Sequence, residues 1–151
     1  NREASGFDSI VFAGYGEPTL KLEELLTSAK ELHHLRPAIP LRLNTNGLAN
    51  AHYKRDIVLD LATSGIQSVS VQLNTADADQ YLQIMKPKTG QSGLDDVCSF
   101  VRNCMSAGIQ AEVTAVERPD VDMEAVQGLA KELGVELRTR SFHPGPGEAN
   151  L

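Results

Sequence analysis

The segment Ser68-Val69-Ser70-Val71-Gln72-Leu73-Asn74 places a polar residue at every even position and an apolar one at every odd position. A strand repeats its facing every two residues, so this segment has one apolar side and one polar side. Leu41-Arg42-Leu43-Asn44 alternates in the same way, and Glu112 with Thr114, then Arg138 with Arg140, continue the pattern on two later segments. A parallel sheet covered by helices on both faces reads instead as nearly continuous Val, Ile and Leu. One face of this sheet is therefore expected to carry helices, and the other to stay polar.

Strand and helix periods alternate along the whole chain. Strands are expected at Ser9 to Ala13, Leu41 to Thr45, Ser68 to Asn74, Gln110 to Val116 and Glu136 to Ser141. Amphipathic helices are expected at Lys21 to Leu35, Ala51 to Thr63, Ala78 to Met85, Leu94 to Ala107 and Met123 to Leu133. Asp77, Ser92 and Asp122 suit helix N-caps, and Gly65, Gly108 and Gly134 suit the left-handed residue that ends a helix. Strands that return after a helix pair in parallel through right-handed crossovers. With polar residues on the uncovered face, the sheet either curls into a partial barrel with a wet lumen or leaves that face open. Residues 1–143 form one α/β unit, and the Pro-Gly segment after His143 reads as a loose tail over 144–151.

Composition removes several classes of function. The formal net charge of −6 and an isoelectric point of about 5.1 oppose direct nucleic-acid binding. No apolar run reaches the roughly 18 residues of a membrane span, and the first residues lack the apolar core of a signal peptide. A soluble, cytoplasmic protein is the expectation. The two cysteines, Cys98 and Cys104, fall on one expected helix about 120° apart and match no metal-ligand spacing. His33 and His34 close a helix, His52 opens one, and none stands at ligand spacing with a carboxylate, so no metal site is expected. Gly14-x-Gly16 lacks the third glycine of a dinucleotide fingerprint, and no Lys-Ser or Lys-Thr follows as in a P-loop.

The polar groups converge on one rim. In parallel α/β folds ligands sit beyond the carboxyl ends of the strands. Gly14-Tyr15-Gly16-Glu17-Pro18 follows the first strand, Asn44-Thr45-Asn46-Gly47 the second, and Gln72 with Asn74 the third. Glu17, Asn44, Thr45, Gln72 and Asn74 are expected to open on the same side of the sheet. Read alone, Glu17 is equally an acid at a helix N-terminus.

Gly14-Tyr15-Gly16-Glu17-Pro18-Thr19 resembles the "GGEP" motif of radical S-adenosylmethionine (radical SAM) enzymes, and Thr45-Asn46-Gly47 resembles their "TNG" turn. The segments VFAGYGEPTLKL, LRLNTNGLAN, RDIVLDLA, SVSVQLNTADADQYLQIMKP and ELGVELRTRSF resemble, in order and spacing, the TatD-associated radical SAM proteins. The resemblance implies a partial TIM-like (βα)6 barrel, here with about five parallel strands and without the first βα unit. It further implies S-adenosylmethionine and a 4Fe-4S cluster as cofactors, a one-electron reductant, and reductive cleavage to a 5′-deoxyadenosyl radical that acts on an unknown substrate. A functional link to a TatD nuclease is implied by the family name alone.

Carried over by position, Gly14, Tyr15, Gly16 and Glu17 would meet the methionyl amino group. Asn44 and Thr45 would lie near its carboxylate, and Gln72 or Asn74 near the ribose. Glu112, Arg138 and Arg140 would line the lumen as substrate contacts. The family's C-x3-C-x2-C cluster motif is absent from this sequence. The chain is thus expected to be catalytically silent as it stands, either as a fragment of the enzyme or as a non-catalytic α/β binding module that has lost its cluster site.

Overall fold

A computed structural model describes residues 8–88 and 93–145. The strands are β1 (Ile10–Phe12), β2 (Leu41–Thr45), β3 (Ile66–Gln72), β4 (Gln110–Glu117) and β5 (Glu136–Ser141). The helices are α1 (Leu22–Leu35), α2 (Ala49–Tyr53), α3 (Val58–Thr63), α4 (Ala78–Met85), α5 (Leu94–Ser106) and α6 (Met123–Leu133), and a 3-10 turn over Pro18–Lys21 leads into α1. The five strands form one parallel sheet in the order β1-β2-β3-β4-β5. Because spatial order follows chain order, right-handed crossovers return every helix to the same face. This is the partial-barrel arrangement expected from the alternating strands.

The buried side of the sheet is built by Leu41, Leu43, Val69, Val71, Leu73, Val113 and Ala115. Phe100, Val97 and Val101 of α5, Tyr81 of α4 and Leu61 of α3 complete the same core. On the other side Arg42, Asn44, Gln72, Glu112, Arg138 and Arg140 remain at least partly exposed. Ser70 and Thr114 also belong to this side but are buried, because they are short residues at the centre of a row of long ones.

Three expectations are corrected. The stretch expected as one helix over Ala51 to Thr63 is α2 and α3, separated where Lys54 takes φ 53°. The break has a local cause: Asn50 Oδ1 accepts from Ile57 N at 2.9 Å and Asp56 Oδ1 from Val58 N at 2.9 Å, turns that compete with the helical ladder. The third strand starts two residues earlier than expected, with an irregularity near Gln67, where Leu41 pairs with Ile66 but Arg42 with Ser68. It also stops before Asn74: Leu73 N and Asn74 N both donate to the Thr114 carbonyl, and Asn74 turns to φ 63°.

The expected caps at Asp77 and Asp122 form, accepting from Gln80 N and Ala125 N, and Gly65, Gly108 and Gly134 all take positive φ. Ser92 and tail residues 146–151 lie outside the described residues. Among the described residues no helix is long and apolar enough to cross a membrane.

Candidate functional site

The loop after β1 and the turn after β2 are joined by one carboxylate. Glu17 Oε1 accepts from Thr19 Oγ1 at 2.7 Å, Thr19 N at 3.2 Å and Thr45 Oγ1 at 2.6 Å, while Oε2 accepts from Asn46 N at 2.8 Å. Glu17 thereby caps the 3-10 turn that Pro18 begins and fixes the Thr45-Asn46-Gly47 turn beside it. With most of its acceptor sites occupied, the carboxylate acts as a clasp between two loops. Glu17 is thus at once the acid at the helical turn's start and the tie between the two loops.

Thr45 is 3 % exposed on the buried side of β2 and does not share the face of Asn44, its neighbour in the strand. This corrects the expected common orientation, and the period of two is the reason. Its hydroxyl donates to Glu17 and accepts from Gly47 N at 3.2 Å. Gly47 is fixed by its surroundings as well: φ is +76°, and a Cβ there would stand 2.7 Å from Val71 Cγ1.

Gly14 and Gly16 are different. Neither has positive φ, and a Cβ on Gly16 would meet nothing within 4 Å. No backbone group of Gly14, Tyr15 or Gly16 is hydrogen-bonded among the described residues, and Tyr15 is fully exposed. The clasp of Glu17 therefore holds a loop whose own donors and acceptors are left open.

This loop is one wall of a cleft of about 540 Å³ at the carboxyl ends of the strands. Asn44, Gln72, Asn74, Arg138 and Arg140 all line it. The side-chain amides of Asn44 and Gln72 have no partner among the described residues. Asn74 reaches the cleft, but its amide is engaged: Oδ1 accepts from Val116 N at 3.3 Å, and Nδ2 lies 3.0 Å from Met85 Sδ. Sequence reading missed Met85 and Thr114 as lining residues. Met85 ends a helix that read as purely structural, and at the rim its sulfur lies against the Asn74 amide.

Glu112 lies deeper, below the cleft. Its Oε1 is 3.4 Å from the guanidinium of Arg42 and 3.0 Å from that of Arg138, and it accepts from the Ser70 hydroxyl. These groups come from β2, β3, β4 and β5, so one carboxylate ties four strands together across the polar face. Arg140 stands one same-face step nearer the rim, and its guanidinium has no partner among the described residues.

No residues described here are arranged to hold an iron-sulfur cluster. Cys98 and Cys104 are buried in α5, away from the cleft. Burial pushes the Cys104 thiol up to about 12 and raises that of Cys98, which disfavours the thiolate that ligates iron. Among the described residues no group of three His, Cys, Asp or Glu is placed to bind a metal ion.

No protein-family model matches the sequence, and no curated protein matches it. Solved structures do. Methylornithine synthase (PylB) superposes with a TM-score of 0.68 at 18 % identity, covering 97 % of this chain and 42 % of that one. Streptococcus suis SuiB bound to S-adenosylmethionine gives 0.63 at 18 % identity, covering 89 % of this chain and 29 % of that one. A radical SAM methyltransferase from Sphaerobacter thermophilus gives 0.50 at 14 % identity, covering 91 % and 52 %. The chain thus spans between 29 % and 52 % of the length of these proteins, and it shares their partial parallel-barrel fold.

Proposed function

We propose that this chain is the S-adenosylmethionine-binding part of a radical SAM enzyme, of the TatD-associated kind by its sequence segments. The observation that carries the reading is the open backbone of Gly14 to Gly16, clasped by Glu17 and set beside the unengaged amides of Asn44 and Gln72. Loop carbonyls suit an ammonium, and primary amides, which both donate and accept, suit a carboxylate or ribose hydroxyls. Nothing among the described residues requires glycine at position 16, so in this reading the room it leaves serves a ligand that approaches the backbone. SuiB has been solved with S-adenosylmethionine bound, which agrees with the fold-level likeness.

S-adenosylmethionine cleaved at a reduced cluster supplies a 5′-deoxyadenosyl radical in such enzymes. In this reading the cluster is held by residues other than those described, and the present residues bind and orient the cosubstrate. A second reading, a non-catalytic binding module, is favoured by the lack of a metal-ligand set among the described residues.

Titrating the 15N-labelled chain with S-adenosylmethionine tests the proposal. Shifts should concentrate at the Gly14, Tyr15, Gly16 and Asn46 amides and at the side chains of Asn44 and Gln72. Without the chelate to iron, a few net hydrogen bonds of about 0.5–1.5 kcal/mol each set an affinity of roughly millimolar. A longer chain that includes the upstream coding sequence, reconstituted with iron and sulfide without oxygen, should bind much more tightly. Dispersed or absent shifts overturn the reading. Equally tight binding with and without reconstitution favours the non-catalytic module.

A further inference from the structure

The cleft does not carry the charge of the protein around it. The chain has a formal net charge of −6, yet the charged residues that line the cleft are Glu17, Arg138 and Arg140. Glu17 stands beyond β1, four strands from β5, or at most about 19 Å along the curved sheet at roughly 4.8 Å per strand, and most of its acceptor sites are taken by Thr19, Thr45 and Asn46.

Arg138 is tied to Glu112 at 3.0 Å, but the Arg140 guanidinium has no ion pair or hydrogen bond among the described residues. The nearby acids are directed elsewhere. Glu112 holds Arg42 and Arg138, and Glu117, on the opposite face of β4, accepts from Thr139 at 2.8 Å. Glu136 does share the polar face, but four residues below Arg140, about 13 Å along the strand.

We propose that Arg140 receives an anionic group, a carboxylate or a phosphate, carried by the substrate of this cleft, with Arg138 as a second contact. The proposal rests on the S-adenosylmethionine reading, which places that ligand in the β1 to β3 half. The α-amino and α-carboxylate groups of its methionyl moiety share one carbon, so both fall beside the Gly14 to Gly16 loop and Asn44. Arg140 is three strand spacings from β2, at most about 14 Å along the curved sheet, and in this reading serves a different anion. A guanidinium suits this role because its planar fork pairs with two oxygens at once. Glu112 orients Arg138 and lowers the net charge at the floor of the cleft, so Arg140 is left as its strongest anion-attracting group.

Inorganic phosphate and succinate, titrated separately at constant ionic strength, serve as the probes, with the arginine Nε–Hε resonances as the readout. We expect a saturable shift at Arg140 and a smaller one at Arg138, unchanged by added S-adenosylmethionine. Phosphate or succinate affinity should fall about tenfold in Arg140→Gln, as expected when a charged partner is removed. It should change less than about twofold in Arg55→Gln, a surface control outside the cleft. The better probe assigns the anion as phosphate or carboxylate.

Absence of a saturable shift at Arg140, or equal losses in the two variants, overturns the proposal. So does an Arg140 shift produced by S-adenosylmethionine but not by adenosine, which would make the methionyl carboxylate the anion. If phosphate binds at Arg140 while S-adenosylmethionine leaves Gly14 and Gly16 unmoved, the anion site stands and the S-adenosylmethionine reading falls.

Discussion

Thr45 Oγ1 donates to Glu17 Oε1 at 2.6 Å, which joins the end of β2 to the loop after β1 through a single hydrogen bond between side chains 28 residues apart. Together with the Asn46 N–H on Oε2, this bond places the open backbone of Gly14 to Gly16 beside Asn44. Glu17 thus lines the cleft and also holds the two loops that frame it.

Glu17→Gln should therefore destabilise the fold. The amide can keep one acceptor oxygen for the threonines, but its NH2 then faces the Asn46 N–H as donor against donor. Hydrogen bonds to a charged acceptor are worth about 1.5–3 kcal/mol, so a loss of about 2 kcal/mol is expected in urea unfolding. S-adenosylmethionine affinity should fall as well, because the loop loses its clasp. A variant within 0.5 kcal/mol of the parent, roughly the scatter of a neutral surface change, would show that the clasp is incidental.

The two glycine types separate structural from ligand-directed demand. Gly47→Ala forces a non-glycine residue to φ +76° and a methyl to 2.7 Å from Val71 Cγ1, so a loss of about 2–3 kcal/mol is expected. Gly16→Ala meets nothing within 4 Å and has no positive φ, so stability should hold or rise by up to about 1 kcal/mol. S-adenosylmethionine shifts should nonetheless weaken in Gly16→Ala. Unaltered binding by that variant would detach the loop from the ligand.

The sheet was legible because polarity with a period of two does not depend on tertiary context. Gln72 on the polar face and Val69, Val71 and Leu73 on the buried one follow directly from it. What the pattern could not supply is how a polar side chain is engaged once it reaches the rim. Thr45 and Asn74 were equal candidates with Asn44 and Gln72. The structure turns the first to Glu17 and the second to Val116 and Met85, contacts spanning 28, 42 and 11 residues. The break between α2 and α3 was hidden for a related reason, since Asp56 reads as a tolerable helix residue and Asn50 lies just before the expected helix, until their side chains are seen bonded to Val58 N and Ile57 N.

Tyr81 is fully buried, and its hydroxyl has no hydrogen-bond partner among the described residues. Burial, then the nearby charges of Asp96 and Cys98, push its pKa up to about 12. A buried hydroxyl without a partner carries an uncompensated desolvation cost, and removing it preserves the shape of the ring. Tyr81→Phe should gain about 1 kcal/mol, read as a higher urea midpoint at unchanged slope. A loss of stability would mean that the hydroxyl is satisfied in solution, as by a bound water.

Cys104 makes a pH prediction with a defined sign. Burial, with a smaller contribution from Asp56, raises its thiol from 9.0 to about 12 in the folded chain. Below about pH 9 the thiol is protonated in both states, and its contribution to stability is fully present. Above that pH the unfolded chain loses a proton that the folded chain retains. Stability should fall by up to about 1.4 kcal/mol per pH unit until the folded thiol itself titrates. Tyr81 adds a similar loss only above 10.0, its unperturbed value, so the interval from pH 9 to 10 isolates the thiols. Cys98 is raised too but is common to the parent and a Cys104→Ala variant. The variant should be less stable at pH 7 because of the cavity it leaves, yet its stability should decline less steeply between pH 9 and 10. Parallel declines in urea unfolding free energy would show that Cys104 reaches water in the folded state, and the case for an inert, core-packed thiol far from the cleft would be lost.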